Sequence, residues 1–211
     1  MSKALISFGV KTHAQLLEIA LPSFKAFADR HGYDLLIPES VPDARPPAWY
    51  KIKALLAALE TYDEAIWIGA DLVIVDGSED IEVPADYWQA MVNHHTADGE
   101  VPNTDFWLCR KPMIPYLSQV WESKQFIHNG WWEQAALLEL MGYNQQLRPN
   151  RVTTNTELLQ HTYFLENGWN VHKWDMVKSV HPRIQHATMY QDRAAVMCEW
   201  AKQAESGWMN D

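Results

Sequence analysis

One acid interrupts an otherwise apolar run. Residues 65–77 read "AIWIGADLVIVDG", with Asp71 behind Gly69 and Ala70, flanked by Ile66-Trp67-Ile68 and Leu72-Val73-Ile74-Val75. A carboxylate desolvated inside a sheet is costly unless it reaches an exposed turn or pairs with a cation. The small residues beside Asp71 leave room for something to approach the backbone. A divalent metal carrying a diphosphate fits that room. Mn and Mg take oxygen ligands, use one or two protein carboxylates and fill their other positions from substrate phosphates. A plain turn would also account for the acid, with no ligand at all.

The elements that must position this acid are legible on both sides of it. "ALISFGV" (4–10) has the apolar character of a buried strand, and residues 12–32 follow with Leu16, Ile19, Ala20, Phe24 and Phe27 near helical spacing. Thr12 is placed to cap that helix and Gly32 to end it in the left-handed conformation. "YDLLIP" (33–38) returns as a second strand, so the chain opens with a βαβ unit and a parallel sheet. Pro38, Pro42, Pro46 and Pro47 punctuate a loop. The helix "WYKIKALLAALETY" (49–62) then carries an apolar stripe of Ile52, Leu55, Leu56 and Leu59. The strand holding the opening acid comes next, with "LVIV" continuing it behind the break. In open α/β sheets ligands sit beyond the carboxyl ends of strands, and this break is such an end. Further on, 104–110 reads as a strand, 112–124, 131–142 and 192–205 as helices, and 168–174 and 183–190 as short strands or extended loops. No repeat or linker divides the chain, so residues 1–211 are expected to form one α/β domain.

Composition excludes several functions. Lys and Arg total 17 against 27 Asp and Glu, a net charge of -10, which repels nucleic acid phosphates and gives no polybasic membrane patch. The N-terminus holds no long apolar stretch, so neither a signal peptide nor a transmembrane segment is readable, and a cytoplasmic protein is expected. Cys109 and Cys198 lack metal-ligand spacing and are expected as two buried thiols. Eleven Trp suit a carbohydrate ligand as well as plain core packing. His94, His95, His161, His172 and His181 form no i, i+4 zinc pair and read as surface or structural. There is no Walker loop and no nucleophile elbow.

The ordered set "FADRHGYDLLIP", "PAWYKIKALLAALETYDEAIWIGADLVIVDG", "VPNTDFWLCRK", "GWWEQAALLELMGY" and "IQHATMY" resembles glycosyltransferase family 34, from Phe27 to His186. That family groups fungal galactosyl- and mannosyltransferases with plant xyloglucan xylosyltransferases. The resemblance implies a GT-A fold, with a Rossmann-like, mostly parallel sheet flanked by helices that binds a nucleotide sugar through a divalent metal, usually manganese. It implies an Asp-x-Asp motif at residues 69–71, where the second acid is kept as Asp71 and the first has become Gly69. Asp71 is then a metal ligand and His186 its partner. The family's phosphate-binding Lys beyond that His has no equivalent, and Arg193 is the substitute.

Lys51 matches a family Lys whose ammonium meets phosphate or a carboxylate of the metal site. Glu133 and Gln134 match an acid-amide pair beside the sugar and acceptor, where they hydrogen-bond hydroxyls and stabilise charge at the anomeric carbon. Without a ligand, Glu133 would still complement the helix dipole. Asn103 and Thr104 match the start of an Asn-Thr-Gly segment beneath the donor sugar, and Asp105 replaces its Gly, either to contact sugar or as a mark of a changed pocket. The expected activity is transfer of a hexose or pentose from a nucleoside diphosphate sugar to an acceptor hydroxyl on a glycan or another molecule. A UDP-sugar is favoured over a GDP-sugar as donor, with Mn2+ or Mg2+ and with retention of configuration. The alternative is a non-catalytic nucleotide-sugar or glycan-binding protein derived from such an enzyme, and a weaker third reading is a histidine-based metal hydrolase.

Overall fold

The computed structural model describes residues 1–39, 44–147 and 149–210; Pro42, expected in the loop after the second strand, lies outside them. The chain opens with β1 (Lys3–Ile6), α1 (Thr12–His31) and β2 (Asp34–Leu36), and β2 pairs parallel to β1. This is the expected βαβ unit. Gly32 closes α1 at φ 71°, in the left-handed region where glycine carries no Cβ penalty. Thr12 is the first helical residue and not the cap, and no side chain caps that end.

α2 (Tyr50–Thr61) leads into β3 (Glu64–Ile68), which joins the other side of β1 in parallel. β4 (Leu72–Ile74) follows the break. It does not carry the strand onward as the sequence suggested. It leaves the main sheet and pairs antiparallel with β10 (Ile184–His186), with His186 opposite Leu72. β5 (Gln89–Thr96) and β6 (Gly99–Arg110) form an antiparallel hairpin of which only the second strand was expected, over 104–110. The rest comprises α3 (Ile114–Glu122), α4 (Trp132–Leu140), the small ribbon β7 (Tyr143–Asn144) and β8 (Arg151–Val152), α5 (Glu157–Gln160), β9 (Thr162–Leu165) and α6 (Arg193–Ser206).

The main sheet runs β2-β1-β3-β6-β5-β9. Three of its five pairings are parallel and two antiparallel, so it is mostly parallel, and helices flank both faces. Strand alternation makes the two layers. Leu5, Ile66, Ile68, Phe106 and Leu108 share a core with Phe24 and Phe27 of α1 and Met197 of α6. Ile6, Trp67 and Trp107 share the other with Ile52 and Leu55 of α2, Leu117 of α3 and Leu137 of α4. Cys109 is buried there, whereas Cys198 is exposed on α6, where its helical face turns to solvent; both thiols are free. Among the described residues no helix is long and apolar enough to cross a membrane.

One irregularity prepares the site. Met91 pairs with Trp107, but the next residue, Val92, pairs with Asn103, so Thr104, Asp105 and Phe106 bulge out of the β5 ladder. They stay attached to the β3 side: Phe106 pairs with Ile68, and the Gly69 amide donates to the Asp105 carbonyl at 2.7 Å. Bulges beside sites re-aim side chains, and this one turns Thr104 and Asp105 toward the end of β3. Ile66, fully buried in the central strand, should lose about 2–5 kcal/mol of stability when cut to Ala. A urea titration is expected to show a lower midpoint at unchanged slope; an unmoved midpoint would contradict this core.

Candidate active site

The break after β3 and the pairing of β4 with β10 together bring Asp71 to His186. The Ala187 amide donates to the Asp71 carbonyl at 2.8 Å, and the Asp71 Oδ1 faces His186 Nε2 at 3.6 Å. Asp71 is 8% exposed. Its other oxygen, Oδ2, accepts from Arg193 Nη1 at 3.2 Å, so the acid is paired with a cation as its burial requires. Arg193 is the first residue of α6, and its Nη1 also lies 3.2 Å from His13 Nε2 in the first turn of α1.

A second set is built around the Lys51 ammonium in the first turn of α2, 3% exposed. It contacts Glu133 Oε1 at 2.8 Å and Asp105 Oδ1 at 2.9 Å, and donates to Thr104 Oγ1 at 3.1 Å and the Thr104 carbonyl at 3.2 Å. Burial alone would push its pKa down, but Asp105 and Glu133 hold it above the usual lysine range. Thr104 donates its hydroxyl to Glu133 Oε1 at 3.0 Å and its amide to Gln134 Oε1 at 3.2 Å. Glu133 and Gln134 occupy the first turn of α4 and are both buried. Burial pushes the Glu133 carboxyl up against the pull of Lys51, and among the described residues its Oε2 has no hydrogen-bond partner. Of the two partners open to Lys51, phosphate or carboxylate, the carboxylates are those it holds.

Asp105 joins the two sets. Its Oδ1 meets Lys51, and its Oδ2 lies 3.7 Å from His186 Nε2. Close packing would raise its pKa, but Lys51 and His186 lower it to about 2. The Asp105 amide donates to Asn103 Oδ1 at 2.9 Å. Every residue singled out above, Lys51, Asp71, Asn103, Asp105, Glu133, Gln134, His186 and Arg193, is therefore part of one connected network.

Asn170 and His13 belong to the same network without having been singled out, and His172, read from the sequence as surface or structural, packs its ring beside His186. Asn170 Nδ2 donates to Asn103 Oδ1 at 3.0 Å, and its Oδ1 lies 3.1 Å from His186 Nδ1. The His172 ring lies 5.8 Å from that of His186 and 5.0 Å from that of His94, and His94 Nδ1 contacts Asp175 Oδ2 at 2.7 Å. The signal was the i, i+2 spacing of Asn170 and His172 in "GWNVHKW", which on extended chain puts both on one face. Nothing local marks His13, which is recruited by the docking of α6. Among the described residues no group of three or more His, Cys, Asp or Glu side chains forms a ready-made metal cage. A cation here would have to complete its coordination from its own ligand, as one carrying a diphosphate does.

Neither a protein-family model nor a curated protein matches the chain. Solved structures do. A glycosyltransferase involved in the glycosylation of the major capsid of PBCV-1 matches with a TM-score of 0.63 at 12% identity, over 97% of this chain and all of its own. GlyE of Streptococcus pneumoniae TIGR4 gives 0.61 at 12% identity, over 98% of this chain and 63% of its own. The bifunctional glycosyltransferase WbbM gives 0.51 at 12%, over 99% of this chain and 52% of its own. The chain has a GT-A glycosyltransferase fold. The likeness at these identities is one of fold, and within that fold the polar network lies beyond the carboxyl end of β3, where open α/β sheets bind their ligands.

Two outcomes follow from the charges. Lys51→Ala leaves Glu133 buried without its cation and should cost about 3–5 kcal/mol; a loss below about 1 kcal/mol in denaturant titration would show that the buried pair is dispensable. The second concerns His172, whose pKa burial and the neighbouring His94 and His186 lower from 6.5 to about 4, and His94, lowered chiefly by burial. Between those values the unfolded chain binds more protons than the folded one, so stability falls as pH drops from 6.5 toward about 4. Melting temperatures in metal-free buffer should decline across that window, and His172→Gln should flatten the decline; an unchanged slope would remove His172 from it.

Proposed function

We propose that the protein is a glycosyltransferase that moves a hexose or pentose from a nucleoside diphosphate sugar to an acceptor hydroxyl, with Mn2+ or Mg2+ at Asp71 and His186. The observation that carries the reading is the meeting of Asp71, His186 and Arg193 beyond β3 in a GT-A fold. The donor set suits such a cation: one carboxylate oxygen and one imidazole nitrogen face each other, while the opposite atom of each group is held by Arg193 or Asn170. Supporting contacts of this kind orient ligands and fix the histidine tautomer. When bound, the cation supplies neutralising charge for the leaving diphosphate.

In this reading Arg193, still about a third exposed, presents its remaining guanidinium donors to the phosphates. Asn103 and Asp105 line the donor side, and Gln134 offers its amide to sugar hydroxyls. Glu133 keeps its unpartnered Oε2 for the developing positive charge while Lys51 fixes its other oxygen. Lys51 thus enters as a buried counter-charge and not as a phosphate ligand, because its donors are already held by Asp105, Glu133 and Thr104. Retention of configuration needs no separate base if the departing phosphate takes the acceptor's proton.

A UDP-sugar is the favoured donor, and the motif order supports a place near glycosyltransferase family 34. The single main sheet supports one catalytic domain over residues 1–211. The test is release of nucleoside diphosphate from UDP- and GDP-sugars with manganese and a panel of glycan acceptors. Asp71→Asn should lower turnover at least a hundredfold. Its melting temperature should move little, because asparagine removes the buried charge and keeps an amide oxygen able to accept from Arg193, which stays about a third exposed to water. Full turnover in that variant would sink the assignment, and donor binding without turnover in the wild type would favour the non-catalytic alternative.

A further inference from the structure

Gly69 is not required by its backbone, since its φ lies outside the left-handed region that Gly32, Gly99 and Gly142 occupy. Space explains it better. A Cβ at position 69 would lie 2.9 Å from Leu72 Cδ1, 3.3 Å from Asp71 Oδ1 and 3.5 Å from the Asp105 Cβ. A side chain at 69 would therefore enter the volume that Asp105 enters from the neighbouring strand. The hydrogen bond from the Gly69 amide to the Asp105 carbonyl locks the two positions together.

The oxygens of the two acids are arranged alike. Asp71 gives Oδ2 to Arg193 and turns Oδ1 toward His186; Asp105 gives Oδ1 to Lys51 and turns Oδ2 toward His186. His186 Nε2 lies 3.6 Å from one carboxylate and 3.7 Å from the other, beyond hydrogen-bond distance of both. Each of these three atoms belongs to a group whose other polar atom is already held. Lys51 has no need of Asp105 for neutrality, because buried Glu133 already meets it at 2.8 Å. Three carboxylates, Asp71, Asp105 and Glu133, thus share two fixed cations, Lys51 and Arg193. The balance leaves one negative charge facing the space between Asp71, Asp105 and His186, which favours a cation there.

We infer that Asp105 supplies the second carboxylate of the cation site, delivered from the β6 bulge into the space that glycine at position 69 leaves open. The inference rests on the metal-diphosphate reading above and adds to it a division of the acidic pair between two strands. It predicts that the acid can be moved back. At position 69 an aspartate must displace the flexible end of Leu72 and make the Asp71 carboxylate give slightly, and in Gly69→Asp/Asp105→Gly Lys51 keeps Glu133.

The experiment is titration of Mn2+ into the protein with saturating UDP, read as loss of the free-ion electron paramagnetic resonance signal, with melting curves in metal-free buffer as the folding control. Wild type should bind one ion per chain, Asp105→Asn should bind it at least tenfold more weakly, and Gly69→Asp/Asp105→Gly should return to within about threefold of wild type. Gly69→Ala/Asp105→Gly, which fills the space without a charge, should stay weak. If Asp71→Asn loses the ion while Asp105→Asn holds it as tightly as wild type, Asp105 is not part of the site and the parent reading survives. Asp105 is likewise excluded if the relocated acid, in a protein that melts normally, restores nothing. If the wild type binds no manganese with or without UDP, the metal-diphosphate reading itself fails, and this inference with it.

Discussion

A single buried ammonium ties the site to the fold. Lys51 reaches from α2 to Asp105 and Thr104 of the β6 bulge and to Glu133 at the start of α4, joining three elements that are distant in sequence. An ion so nearly closed off from water is tolerable only where carboxylates and carbonyls replace the lost hydration. Its position therefore fixes theirs. The Thr104 hydroxyl and amide carry the same constraint onward to Glu133 and Gln134.

The second constraint is topological. β4 leaves the main sheet after Gly69-Ala70-Asp71 to pair with β10, and this exchange sets a residue near position 71 against one near position 186. The bulge between Met91 and Val92 sets Asp105 beside the same point from the other side. Two local departures from regular pairing, each modest alone, thus converge on His186. Its tautomer is in turn tied to Asn170, and Asn170 to Asn103. A site built from the ends of strands, with its supporting hydrogen bonds on other strands, keeps its geometry with little further cost in ordering.

The fold was largely legible where periodicity was strong. The opening βαβ unit, the helices α2 and α6 and the strand ending at Gly69 all follow from apolar spacing and terminal signals. β5 went unread although Asp98-Gly99 marks its hairpin, because the mixed "VNHHT" stretch lacks clean alternation. Thr12 read as a cap but lies inside α1, and "LVIV" read as a continuation although it belongs to another ribbon. An apolar run is compatible with either sheet, and only its partner strand decides which.

By itself the sequence determined the α/β class, the acid at a strand end and the residue types able to meet a metal diphosphate, because these depend on local pattern and on side-chain chemistry. Tertiary structure decided which of them meet. It closed Lys51 away as a counter-ion, paired Arg193 with Asp71, and brought in Asn170, His172 and His13. It also set Asp105 beside the open space at Gly69. Those facts follow from strand pairing and from the burial of charge, which join residues up to 180 positions apart and leave no periodic trace along the chain.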